Sequence, residues 1–204
     1  MITIADYQMG NLGSISNMLK KLGIPSKITA DPHDIAAASK LILPGVGAFD
    51  AGMDNLQRSG LLPVLNERVL GAGVPTLGIC LGMQLMTRRS NEGQREGLGW
   101  IDAEALRFRP TDTTLKVPHM GWNLVRPVRP SPLTDGLPDE PRFYFVHSYH
   151  VRCNAPEDVL LTTQYGEEFH SAFQHGTVSG VQFHPEKSHK FGMALLRNFA
   201  EKVS

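Results

Sequence analysis

Cysteine is scarce. Cys80 and Cys153 are the only two in 204 residues. That argues against a disulfide-stapled secreted scaffold and leaves room for thiol chemistry in a cytoplasmic setting. Net charge is missing as well: 20 Lys and Arg balance 20 Asp and Glu. Neither nucleic acid nor an acidic membrane surface is therefore an expected partner. No apolar run reaches the roughly 18 residues of a membrane span. The opening MITIADYQMG has neither a basic nor a long apolar region, so no signal peptide is expected. Zero net charge gives little protection against association, which fits a protein that works in a complex. Repeats, low-complexity tracts and linkers are absent too, so one domain is expected over residues 1–204. Its 41% hydrophobic content suffices for a sizeable core.

The first half alternates strand and helix patterns. Strands are expected at Ile2–Asp6, Ser26–Thr29, Lys40–Leu43 and Pro75–Ile79. Between and after them, Asn11–Leu22 reads as a helix with Leu12, Ile15, Leu19 and Leu22 on one side. Phe49–Leu70 carries helical patterning interrupted by Gly60 and Pro63, and a further helix runs from Leu81 to about Arg89. The order predicts an α/β fold: one open, mostly parallel sheet with helices on both faces, of the flavodoxin-like kind. The second half reads as strands at Ala103–Phe108, Phe143–Val151, Val159–Gln164, Ser171–Gln174 and Val178–Phe183, some of them antiparallel additions. The proline-rich stretch Arg126–Pro141 reads as a surface loop, and a last helix runs from about Lys190 to Lys202.

Two short segments carry chemistry. Gly78-Ile79-Cys80-Leu81-Gly82 fits a nucleophile elbow, small-x-nucleophile-x-small, between a strand and a helix. A cysteine there lies at a helix N-terminus, where the backbone dipole favours a thiolate, and the Leu81 N–H points toward a developing oxyanion. Taken alone, Cys80 also fits a small buried hydrophobe. The second segment is Gly180-Val181-Gln182-Phe183-His184-Pro185-Glu186. In extended backbone, residues i and i+2 face the same way, so Glu186 is expected behind the His184 imidazole as its orienter. A solvated surface turn is the plainer alternative. Both segments lie at the C-terminal ends of expected strands, where open α/β sheets carry their sites.

With these segments the chain resembles the triad-type, class I glutamine amidotransferases. More narrowly, it resembles the branch forming glutaminase subunits of imidazole glycerol phosphate synthases. The matching stretches span nearly the whole chain: Asp6-Tyr7 with Met9-Gly10-Asn11, Leu43 through Gly47 (LPGVG), Gly78 through Leu85 (GICLGMQL), Val117 through Asn123 (VPHMGWN), Tyr144 through Tyr149 (YFVHSY), and Gln182 through Ser188 (QFHPEKS). The resemblance implies that Cys80 attacks the glutamine amide, His184 transfers protons and Glu186 orients His184. It implies an oxyanion hole from the Leu81 N–H and an N–H of the Gly45-Val46-Gly47 loop, which must reorient first. Two glycines make such a flip sterically cheap. By the same resemblance Gln84, Glu92, Ser148 and Tyr149 hold the amino-acid end of L-glutamine. A (β/α)8-barrel cyclase would take up the ammonia, with Met9, Asn11, Trp122, Tyr144 and Lys187 near that interface. No cofactor is implied. From the residues alone, Trp122 and Tyr144 read as ordinary packing.

Gln8 and His150 depart from the family's usual glycine and tyrosine. His150 and the run His189-Lys190-Phe191-Gly192 resemble a paralogous branch that supplies ammonia for sugar amidation in surface-polysaccharide pathways. Gly45-Val46-Gly47 imitates a dinucleotide fingerprint, but Asp50 stands where its third glycine belongs. His147, His150 and Cys153 have metal-like spacing, yet in a single strand they would face opposite sides, so no metal is expected. Arg88-Arg89 and Lys187 suggest a phosphate site, against which a solvated helix end is the plainer reading. Two other classes compete: a non-enzymatic module with Cys80 as redox sensor, which needs no Glu186, and an independent thiol hydrolase, which needs no PGVG loop.

Overall fold

The computed structural model describes every residue except Thr111 and Thr113. Strands β1 (Ile2–Ala5), β2 (Ser26–Thr29), β3 (Leu41–Gly45) and β4 (Thr76–Cys80) alternate with helices α1 (Leu12–Lys21), α2 (Pro32–Ala36), α3 (Phe49–Arg58) and α4 (Leu62–Asn66). The chain continues through α5 (Leu81–Leu85), β5 (Arg89–Ser90), β6 (Ala103–Arg107), β7 (His119–Leu124), β8 (Arg126–Pro127), β9 (Arg142–His147) and β10 (Tyr149–Cys153). It ends with β11 (Val159–Tyr165), β12 (Glu167–His175), β13 (Val178–Val181) and α6 (His189–Glu201).

Strands β1, β3, β4 and β13 are buried along their whole length, as strands covered on both faces must be. The sheet order is β2-β1-β3-β4-β13-β12-β10-β6-β5. Its first five strands are parallel, and β13 then turns antiparallel into β12 and β10. Side chains alternate between two cores. Ile2, Ile4, Ile42, Leu77 and Ile79 pack with Ile15 and Leu19 of α1 and Leu195, Leu196 and Phe199 of α6. Leu41 and Leu43 pack with Ile35, Phe49, Leu56 and Leu65 on the opposite face. The fold is thus the expected α/β sandwich with helices on both faces, although its second half is largely antiparallel.

Several expectations are corrected. The helix after Cys80 stops at Leu85 rather than near Arg89. The Thr87 hydroxyl and the N–H groups of Gly97, Leu98 and Trp100 take carbonyls of residues 84–88, and the chain turns to pair β5 with β6. Phe143–Val151 is two strands, not one. It breaks at Ser148, with β9 in a small sheet with β7 and β10 in the main sheet. The reason given against a metal at His147, His150 and Cys153 therefore fails, since the three do not share one strand. Among the described residues, no group of three His, Cys, Asp or Glu is placed to hold a metal ion. Nor is Arg126–Pro141 simply a surface loop. β8 pairs with β11, and Leu133 is buried, with Asn198 of α6 donating to the carbonyls of Leu133 and Asp135.

Candidate active site

The elbow is built by close packing of α5 on β3 and β4. Cys80 has φ +55 and ψ −110, a left-handed conformation unusual for a side-chain-bearing residue. Such strain persists only where the surroundings fix it. The flanking glycines are required sterically. A Cβ on Gly78 would lie 2.7 Å from the Met86 sulfur and 2.8 Å from the Met83 nitrogen, and one on Gly82 would collide with the Leu43 carbonyl oxygen. Gly45 is constrained in the same way: its Cβ would lie 2.8 Å from the Gly82 nitrogen and 2.9 Å from the Tyr7 hydroxyl. The need for glycine at 45 thus comes from contact with the elbow, whereas Gly47, at φ +102, needs it for its backbone conformation. The Tyr7 hydroxyl donates to the Pro44 carbonyl. Burial, and then the nearby Cys80 sulfur, raise the Tyr7 pKa, so the phenol stays a neutral donor that pins the loop.

His184 follows β13 and is continued into the small sheet, its N–H donating to the Tyr144 carbonyl at 2.9 Å. Its Nδ1 donates to Glu186 Oε1 at 2.7 Å, with both side chains only 2% exposed. The expected contact is present, but extended backbone does not make it. Pro185–Lys187 is a turn of 3-10 helix, and Gly192 of α6 packs so tightly on the Pro185 carbonyl that no Cβ fits. The Ser188 hydroxyl completes the turn, donating to the His184 carbonyl at 2.6 Å and accepting from the Tyr144 N–H. His184 Nε2 is buried without a conventional hydrogen bond, and the Cys80 side chain lies close enough to act on the ring. Burial alone would push the His184 pKa down; Cys80 and Glu186 outweigh it and lift the group to about 9. The carboxylate behind the ring and the sulfur in front of it thus favour its charged form.

A cavity of about 320 Å³ opens over Cys80. Val46, Gly47, Leu81, Gln84, Glu92, Ser148, Tyr149 and His184 line it with Cys80; of the catalytic, oxyanion and glutamine-holding candidates, only Gly45 and Glu186 do not. Glu92 Oε2 also accepts the Phe49 N–H at 2.9 Å at the start of α3. The interface candidates fall into two groups. The Met9 methyl lies 3.4 Å from where a Cβ on Gly47 would stand, while Asn11 caps α1 through the Ser14 N–H. Trp122 lies across from Tyr144 in the β7–β9 pair and stacks on His189, and the Lys187 ammonium sits over the Tyr144 ring. Trp122 is 46% exposed and its neighbour Met120 62%, so Trp122 is not core packing but packs at the surface against His189 and Tyr144.

Other candidates resolve structurally. Arg88 and Arg89 pair with Asp102 and Glu104. Asp50 accepts the N–H groups of Gln94 and Arg95. Burial, with Asp158 nearby, pushes the Cys153 thiol up to about 12, an inert thiol. Gln8 occupies φ +64, which explains a preference for glycine there.

Sequence reasoning passed over two features. Gln182 is fully buried, and its Nε2 lies 3.7 Å from Cys80 Sγ. His119 and His147 form a buried pair, Nδ1 to Nε2 at 3.0 Å, and His147 Nδ1 donates to the Tyr149 carbonyl at 2.7 Å. Gln182, His119 and His147 all lie inside the matched motifs, which mark them as candidates without disclosing these contacts.

The model of the glutamine amidotransferase class-I family matches residues 3–203. A protein of Methanococcus maripaludis named imidazole glycerol phosphate synthase subunit HisH 2 is 52% identical over 203 residues, covering 100% of both chains. The protein of the same name from Pseudomonas aeruginosa is 51% identical with the same coverage. A subunit HisH from Moorella thermoacetica is 50% identical, covering 99% of this chain and 95% of its own. Among solved structures, PurLQS from Thermotoga maritima superposes with a TM-score of 0.75 at 17% identity, over 100% of this chain and 98% of that one. A structure described as a glutamine amidotransferase gives 0.74 at 20% identity, over 98% of each chain.

Proposed function

The chain belongs to the glutamine amidotransferase class-I family, and on that premise we propose that it hydrolyses L-glutamine as the glutaminase subunit of an imidazole glycerol phosphate synthase, in histidine biosynthesis. The observation that carries the reading is the triad: Cys80 on a strained elbow, facing a His184 whose far nitrogen is held by Glu186 at 2.7 Å.

The chemistry follows from the protonation states. The Cys80 thiolate attacks the side-chain amide carbon of glutamine, and the carbonyl electrons move onto oxygen. The Leu81 N–H and an N–H of the Gly45–Gly47 loop receive that oxyanion, an electrostatic contribution of a few kcal/mol. As the C–N bond breaks, the His184 imidazolium gives its Nε2 proton to the departing nitrogen, so ammonia leaves and a thioester remains. His184, now neutral, takes a proton from water, the hydroxide adds to the thioester, and glutamate leaves as Cys80 returns to thiolate. Glu186 keeps the Nδ1 proton in place throughout and is not itself protonated. Gln84, Glu92, Ser148 and Tyr149 line the same cavity as Cys80, which supports assigning them the amino-acid group of the substrate.

Ammonia released to water is protonated and lost as a nucleophile, so a partner must receive it directly. A (β/α)8-barrel cyclase fits that part. Val46 at the cavity wall is exposed, and so are Met120 and Trp122 on one face of β7, exposed apolar side chains of the kind found at interfaces. A second reading keeps the same chemistry and changes the acceptor. The residues that favour a surface-polysaccharide sugar amidotransferase as acceptor are His150 and the run His189-Lys190-Phe191-Gly192, which resemble that paralogous branch. Glutamate release by the purified chain tests the common core: the parent releases it and Cys80→Ala does not, with an unchanged melting curve. Parent-like release by Cys80→Ala would refute the mechanism.

A further inference from the structure

Gln182 sits at the end of β13 with no exposed surface, so every polar atom of its amide needs a partner. Its orientation follows from its neighbours. The Tyr149 carbonyl can only accept, so the Gln84 atom 3.1 Å from it is the amino nitrogen. That same nitrogen lies 3.0 Å from Gln182, which must therefore present its oxygen. The Gln182 amino group is left facing Cys80 Sγ at 3.7 Å, within the reach of a sulfur hydrogen bond. A flipped Gln182 would set two amino groups against each other and a carbonyl oxygen against the thiolate. Three groups drawn from α5, β10 and the end of β13 thus aim one donor at the sulfur.

We propose that Gln182 is a thiolate-stabilising residue of the hydrolytic reaction, donating its amide N–H to Cys80 Sγ and held in that orientation by Gln84 and the Tyr149 carbonyl. The inference rests on the reading of Cys80 as the nucleophile. A hydrogen bond to an anion is about twice as strong as one to a neutral acceptor. The donor therefore favours thiolate over thiol before attack. It acts again when the thioester breaks, because the departing sulfur regains the same partner along with its charge. In the thioester the sulfur is a weak acceptor, so acylation gives up this bond and hydrolysis of the thioester regains it.

The test is the rate at which iodoacetamide alkylates Cys80 in the full-length chain, read by mass spectrometry across about pH 5 to 10, alongside steady-state glutaminase kinetics. Gln182→Met removes the donor. Gln182→Glu keeps the shape and the contact from Gln84 but offers the sulfur an anion. In Gln182→Met the alkylation midpoint moves to higher pH, the rate below the midpoint falls about tenfold, and kcat falls similarly while KM stays within about twofold. Gln182→Glu moves the midpoint further in the same direction. Parent-like alkylation profiles in both variants overturn the proposal, as does a rise in KM alone. An unreactive Cys80 in the parent chain would overturn the nucleophile reading, and this inference with it.

Discussion

Acidification from pH 7 to pH 5 is expected to destabilise the fold through histidines buried beside the active site. His147 Nδ1 must donate to the Tyr149 carbonyl, so its Nε2 accepts from His119 Nδ1, and His119 Nε2 accepts from the Asn123 amide. This chain is satisfied only with both rings neutral; a proton on either ring sets donor against donor. Burial pushes His119 and His150 down to about 4, and His147 well below its ordinary value. Each depressed histidine binds protons more readily unfolded than folded between its folded pKa and 6.5. Its stabilising contribution is complete above 6.5 and is lost as pH falls. For a drop from 6.5 to about 4, the loss by pH 5 is about 2 kcal/mol per histidine. His119 and His150 together thus cost about 4 kcal/mol, a large share of a typical stability of about 5–15 kcal/mol. His184 acts in the other window: raised to about 9, it stabilises fully below 6.5 and loses that contribution as pH rises through 9. Carboxylates have pKa values of about 4 in the unfolded chain and are mostly ionised by pH 5, so the pH 5–7 limb belongs chiefly to the histidines. Urea unfolding at pH 7 and pH 5, followed by circular dichroism, measures it, and His150→Phe should show a shallower limb. Equal stability at both pH values would refute the reasoning.

Four further outcomes are expected. Cys80→Gly relieves the φ of +55, so it should be inactive yet at least as stable as the parent in urea melts, within about 1 kcal/mol. Gly82→Ala drives a Cβ into the Leu43 carbonyl and should cost about 2 kcal/mol or more of stability while abolishing glutamate release. Glu186→Gln removes the anion behind His184, so the His184 pKa falls and glutamate release should drop by about 10² or more, seen as a displaced pH–rate profile. Lys40→Met removes an ammonium that donates to the carbonyls of Phe199, Ala200 and Val203 at the end of α6. It should lower the unfolding free energy by about 1–2 kcal/mol without changing catalysis.

The parallel half of the fold was legible mainly because β1, β3 and β4 are buried runs and α1 carries a clean apolar stripe. Helix α2 was missed although Asp31 caps it and Pro32 opens it, because five residues are too few for a period to show. Strand β7 was missed because its side chains do not alternate by hydrophobicity: Met120 and Trp122 face outward while the buried partner is His119. Cys80, His184 and Glu186 could be read because their chemistry is local, a turn and an i, i+2 pair. The Gln84–Gln182–Cys80 chain joins residues 98 and 102 positions apart, and only the register of β4 with β13 brings them together. Spacing within a motif cannot disclose such a contact.

The most direct measurement of the central claim is glutamate release by the purified chain, alone and with a histidine-pathway cyclase and its phosphoribosyl-imidazolecarboxamide substrate. The account predicts weak release alone and strong stimulation by cyclase and substrate together, both abolished in Cys80→Ala. Absence of glutamate under every condition, with the chain folded, would contradict it.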